Sequence, residues 1–179
     1  ARGPDVLGLF FPNRASAAAT ASGGSWLIAL PVANVCDPLI AKVARSTDAT
    51  AASTKIRLDL GASRVLRAFS IINHNLSAAA QWRVLLGTTS GGNEVYSGTL
   101  ANWLVSTTFE AGLVAAGMED AEYIREGTAA FLVLPQNYTA RHVTFEIVDT
   151  ANTDSYVQIG RVFAGGGFIP TYNAKFGLQ

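Results

Sequence analysis

Hydrophobic and polar residues alternate most cleanly over Lys55–Leu60, where Ile56, Leu58 and Leu60 fall on one side and Lys55, Arg57 and Asp59 on the other. Successive side chains of a strand point to opposite faces, so this stretch predicts a half-buried antiparallel strand. Gly61 is expected to end it. Val65–Ile72 follows as an apolar run without a clean period, the pattern of a strand buried on both faces. Gln81–Leu86 alternates again and directs Trp82, Val84 and Leu86 to one face, which makes Trp82 a core residue; Gly87–Asn93 is then a turn-rich loop. Further strands are predicted at Glu94–Tyr96, Trp103–Phe109, Ala129–Leu134, His142–Val148 and Tyr156–Phe163, with Asp149–Ser155 as a polar, hairpin-length loop between the last two. Short strands separated by Gly, Asn, Asp and Ser clusters predict an all-β sandwich or barrel.

Helix is scarce. Met118–Glu126 is the best candidate, with acids in its first turn, Arg125 in its last and Gly127 just beyond. Asp37–Val43 could form a short helical turn, with Pro38 near its start. Residues 1–30 read as an amino-terminal arm or edge extension, 31–167 as the sandwich, and 168–179 as a carboxy-terminal extension.

The 179 residues suit one domain, which at this size buries roughly 70% of its unfolded surface. Thirteen basic and 13 acidic residues cancel, and charged residues make up 15% of the chain against a usual share of about 25%. That balance argues against disorder and against nucleic acid as a partner. Low charge opposes association weakly, so much of the surface is expected to meet other protein. A single cysteine, Cys36, excludes an intrachain disulfide and reads as a small buried or half-buried residue in a reducing compartment. The longest uncharged stretch, Ala15–Cys36, is strongly apolar only over Trp26–Leu30, too short to cross a bilayer, and carries no export signal; no membrane insertion is expected.

Candidate chemistry is sparse, and no enzyme activity is expected. His74 lies where a strand meets a polar turn and reads as a turn histidine; His142 begins a strand and reads as a surface residue. No serine sits in a Gly-x-Ser-x-Gly elbow. Glu119, Glu122 and Glu126 would share a solvated helix face, with Asp120 beside them. Asp149, Asn152 and Asp154 could offer oxygens to calcium, though without the ordered series of an EF-hand loop; no other cofactor is expected. Gly87–Gly92 lacks the Gly-Lys-Ser/Thr ending of a phosphate-binding loop. Gly165–Gly167 suits a sharp turn or a close backbone approach. Trp103, Tyr138 and Tyr156 are candidate sugar platforms, and Phe10, Phe11, Trp26, Phe168, Tyr172 and Phe176 are candidate anchors for a protein partner.

Ile56-Arg-Leu-Asp-Leu-Gly61, Trp82-Arg-Val84, Ala140-Arg-His-Val-Thr-Phe-Glu-Ile147 and Val157-Gln-Ile-Gly-Arg-Val-Phe163, in this order, resemble the discoidin or coagulation-factor C-type domain. This resemblance implies a galactose-binding-like jelly roll of about eight antiparallel strands in two sheets, with ligand loops at one end. Leu30–Val35, Asp37-Pro38, Ala44–Asp48, Asn73–Ser77 and Ile159–Gly165 are more narrowly similar to discoidin-like proteins of long-tailed bacteriophages. That similarity implies a virion component near the tail tip or baseplate, made in the bacterial cytoplasm. It would be assembled in multiple copies with other tail proteins, and host glycans are a possible partner. A carbohydrate-binding module is the alternative expectation. The paired cysteines of animal discoidin domains are missing, and no sugar-binding motif maps onto particular residues.

Overall fold

The computed structural model describes residues 9–103 and 129–168. Among the described residues the regular structure comprises ten strands and one short 3-10 turn: β1 (Leu9–Phe10), β2 (Thr20–Ser22), the turn Val32–Cys36, β3 (Ala44–Arg45), β4 (Ile56–His74), β5 (Gln81–Gly87), β6 (Tyr96–Ser97), β7 (Ala101–Asn102), β8 (Ala129–Val148), β9 (Gln158–Gly165) and β10 (Gly167–Phe168). Every strand pairing is antiparallel. The predicted helix Met118–Glu126 and all but the first residue of the predicted strand Trp103–Phe109 lie outside the described residues.

Two long strands run through both layers of a sandwich. The first part of β4 pairs with β2 and with the last part of β8, which in turn pairs with β5; β6 and β7 complete this first layer beside β5. After the register shifts between Asp59 and Arg64 and between Leu66 and Ala68, β4 pairs with the first part of β8 and with β9, and β3 closes this second layer. Both long strands thus turn over at the same end. Gly61 sits at the turn with φ +74°, a left-handed conformation that L side chains rarely adopt. It therefore bends the strand where the sequence predicted a stop. Likewise, Ala129–Leu134 and His142–Val148, predicted as two strands, are the two arms of β8.

The alternating residues go where their period predicts: Ile56, Leu58, Leu60, Trp82, Val84 and Leu86 are all buried. Phe145 from the first layer meets Phe69 from the second edge to face at 6.2 Å between ring centroids and stacks on Trp82 at 6.3 Å. This aromatic group joins the layers. In the Val65–Ile72 run, Ala68–Ile71 are buried but Val65 stays half exposed, because it lies on the bend rather than inside a sheet. The short helical turn falls at Val32–Cys36, one step earlier than predicted; the Asp37 carboxylate accepts from the Leu39 N–H and Lys42 Nζ and holds Asp37–Val43 in a different turn.

Residues 9–30 lie against the sandwich. β1 pairs with β10, Asn13 bonds Val162 and Ala164, Ala15 is buried, and β2 lengthens the first layer at its edge. Gly165 and Gly167 leave room for rings: a Cβ on Gly165 would meet the Phe163 ring at 2.6 Å, and one on Gly167 would run into the Phe10 ring. The glycine run thus serves close approach of both rings and backbone, since a Cβ on Gly165 would also meet the Pro12 carbonyl at 2.9 Å and one on Gly166 the Val65 carbonyl at 3.2 Å.

Candidate functional site

Because β4 and β8 turn over at one end, connecting loops gather at the other. The 75–80 loop follows β4, the 149–157 loop joins β8 to β9, and the 46–55 loop leads into β4. Asp149 is buried at the centre. It accepts from the Ser77 N–H at 2.9 Å, the Ser77 hydroxyl and Asn152 Nδ2 at 2.9 Å. Asn152 Nδ2 also donates to the Asn75 carbonyl, while Asn75 Nδ2 donates to Asp154 at 2.8 Å and to the Tyr156 carbonyl. Asn75 Oδ1 accepts from the Gln158 N–H at 2.7 Å. Buried polar groups demand partners, so this network fixes two loops that are far apart in sequence.

On the outer side of the network, the Arg45 guanidinium lies 4.2 Å from the Tyr156 ring centroid and donates to Gln158 Oε1 at 2.6 and 3.1 Å. The ring and the fork together fix the head of a side chain that has no carboxylate in its ion pairs among the described residues. Next along the chain, Ser46 donates to the Asp48 carbonyl, and Trp26 pairs with Ser46 through a β-bridge. The Thr50 hydroxyl and amide, with the Ser53 hydroxyl, hold the Asp48 carboxyl below the usual range. Arg45, Asp48, Asn75, Asp154 and Tyr156 therefore place donors, acceptors and one aromatic ring at a single loop end.

His74 lies beneath this surface. Its Nδ1 accepts from the Leu76 N–H at 3.2 Å, and its ring meets Trp103 edge on at 4.7 Å. Burial pulls its pKa down to about 4, against the pull of the nearby Asp149 charge. The turn role predicted from sequence matches this position. Ser77 gives its hydroxyl hydrogen to Asp149 and His74 Nδ1 faces an amide, so the two do not form a nucleophile–base pair.

The predicted sugar platforms separate. Tyr156 is half-buried at the loop end, with one face of its ring taken by Arg45. Trp103 is buried and its indole donates to the Ser77 carbonyl at 2.7 Å, so it packs under the site and offers no platform. Tyr138 packs on Tyr96 at 5.1 Å and pairs with Leu66 at the bend, away from Tyr156. Of the predicted anchors, Trp26 is half-buried with its indole on the Gly23 carbonyl, Phe10 packs on Phe131, and Phe11 is 68% exposed. Phe168 pairs with Leu9; Tyr172 and Phe176 lie outside the described residues.

The calcium candidates are committed to protein partners: Asp149 as above, Asn152 Oδ1 to the Asp154 N–H, and Asp154 Oδ2 to Asn75. Among the described residues no group of three His, Cys, Asp or Glu is placed to hold a metal ion. The Gly87–Gly92 loop is filled by its own carboxylate: the Thr88 N–H and hydroxyl donate to Glu94, whose pKa is held down to about 2 by them. His142 stands opposite Asp59 on the outer face of the first layer. Glu119, Asp120, Glu122 and Glu126 lie outside the described residues. The cysteine, Cys36, is buried, and desolvation raises its thiol pKa to about 11. Sequence reasoning did not single out Arg45, Ser77 or Gln158 as site residues; only long-range pairing brings them together.

No protein-family model and no curated protein matches the chain. Solved structures do. The lectin domain of Lectinolysin complexed with Lewis B antigen has a TM-score of 0.56 at 13% identity, covering 87% of this chain and 97% of that one. The family 32 carbohydrate-binding module of C. perfringens NanJ, in complex with galactose, has a TM-score of 0.55 at 12% identity, covering 90% and 100%. A family 89 glycoside hydrolase from Clostridium perfringens matches with 87% of this chain but only 15% of its own, at a TM-score of 0.52 and 13% identity. At these identities the likeness is one of fold alone: an antiparallel β-sandwich.

Proposed function

We propose that this chain is a carbohydrate-binding domain that takes a glycan at its open loop end. The observation that carries the reading is the Arg45–Tyr156 pair fixed beside Asn75 and Asp154, on a fold whose similar structures include galactose- and Lewis B-bound domains. A fixed guanidinium, an amide and a carboxylate can bond neighbouring hydroxyls while an aromatic edge meets the apolar face of a sugar. Binding needs no cofactor and no bond cleavage in this reading.

Multivalent display on a glycan array, with and without calcium, tests it. Weak, Arg45-dependent binding to a defined set of glycans is expected. Silence at high valency would reject the reading. The sequence similarity to phage discoidin-like proteins supports a wider setting, in which several copies sit at the tail tip or baseplate and meet the host envelope. Labelled-particle imaging decides that point, since a capsid location overturns it.

A further inference from the structure

Among the described residues, three arginines hold their heads alike, with Nε and Nη2 side by side against one side chain. At Arg141 the partner is the Asp59 carboxylate, at 2.7 and 2.8 Å, and at Arg83 it is Glu146, at 2.7 and 2.6 Å. At Arg45 it is the amide oxygen of Gln158, at 3.1 and 2.6 Å. An amide orients a guanidinium as a carboxylate does, but it leaves the charge uncancelled. The Tyr156 ring covers one face of the Arg45 head, and no carboxylate pairs with it among the described residues. Arg67 is also held by neutral groups, the Leu134 and Pro135 carbonyls, but at the bend and away from the loop end.

Gln158 takes the N–H groups of the Nε–Nη2 side only. The Nη1–Nη2 end of the Arg45 head, two parallel N–H groups, has no partner among the described residues, and it matches the two oxygens of a carboxylate. We infer that the glycan taken at this site carries a carboxylate, as uronic and sialic acids do, and that Arg45 binds it end on. The inference rests on the glycan-binding reading above. For hydroxyls alone, the arginine–carboxylate fork used on the first layer would aim the same donors without leaving a half-buried charge uncompensated; an acidic ligand supplies the missing compensation. Asp154 suits the same ligand. It is exposed, bonds Asn75 and makes no ion pair with Arg45, so it can accept sugar hydroxyls while turning the ligand's carboxylate towards the guanidinium. Asp48 is spent inside its own loop, on the Thr50 N–H and the Ser53 hydroxyl at 2.8 Å each.

The test is calorimetric titration of the full chain with oligosaccharides bearing uronic or sialic acid, and with the same oligosaccharides after reduction of the carboxyl to the alcohol. Affinity should fall at least about tenfold on reduction, since a charge-assisted pair of hydrogen bonds is lost. Gln158→Glu keeps the fork on Arg45 but cancels its charge, and should bring the acid-to-alcohol affinity ratio close to one. The ratio is the readout, so a general weakening of the site does not imitate this result. Equal binding of acid and alcohol forms by the unaltered chain overturns the inference and leaves the glycan-binding reading standing. A ratio that survives Gln158→Glu overturns it too, as does a preference for sulfated over carboxylated oligosaccharides. Silence towards every oligosaccharide, acidic or neutral, rejects the glycan-binding reading itself and the inference with it.

Discussion

The two outer faces of the sandwich are built by the same strands and look unlike each other. On the first layer, Lys55 and Arg83 both pair with Glu146, at 2.8 and 2.6 Å, and Arg141 pairs with Asp59 at 2.7 Å. On the second, the outward positions carry phenylalanine, valine, isoleucine and alanine, with Arg161 at one side. The change happens within single strands: β4 turns outward Arg57 and Asp59 before its bend and Ala68, Ser70 and Ile72 after it, and β8 does the reverse. Alternation decides which residues face away from the core, whereas the residue types at those positions decide what the face is meant to meet. One face is laced with ion pairs and the other is mostly apolar.

The strongest way to break this comparison is to separate the layers. Phe145→Ala removes the ring that touches both Phe69 and Trp82 and should cost about 3–5 kcal/mol, read by chemical denaturation, with both faces lost in one transition. Acid comes next, and its largest effect is expected at the loop end. His74 is pulled down to about 4 in the folded chain, so between its ordinary value near 6.5 and about 4 the unfolded chain holds more protons. Stability should therefore fall as pH drops through that window, by up to about 3 kcal/mol, and His74→Gln should flatten this part of a pH–stability curve. Asp59, held near 2 by Arg141, keeps its charge throughout this window and should add nothing to the slope.

Smaller effects sharpen the contrast. Burial works to raise the Glu146 pKa, but hydrogen bonds from Lys55 and Arg83 outweigh it and the carboxyl is held low. Its contribution is thus present above the ordinary carboxylate range and lost as pH falls through the folded value. Glu146→Gln should cost about 1 kcal/mol at neutral pH, discounted for partial exposure, and less in acid. Phe131→Glu should cost about 1–2 kcal/mol, seen as a lowered melting temperature, because the ring packs on Phe10 and is only 37% exposed.

Local pattern made the first layer legible. Ile56–Leu60 and Trp82–Leu86 have a period of two because one side meets water, and the structure buries them accordingly. The second layer lacks that signal: Ala68–Ile71 is apolar on both sides, so its direction could not be read. Gly61 was legible as a break but not as a bend, since a glycine suits either. At the candidate site, Tyr156 was readable as an exposed aromatic. Its partners were not, because Arg45 and Gln158 are 113 residues apart and Asn75 reaches Asp154 across 79. Trp103 misled for the same reason; its burial depends on His74 and the Ser77 carbonyl.

Two strands that pass through both layers leave the domain without a seam. In a sandwich of independent sheets, one sheet can peel away while the other holds. Here, opening either layer means pulling on β4 and β8, and so on the other layer as well. Cooperative units follow the connectivity of the chain, and amide protons on both sides of the Gly61 bend should exchange together, at the rate set by global unfolding.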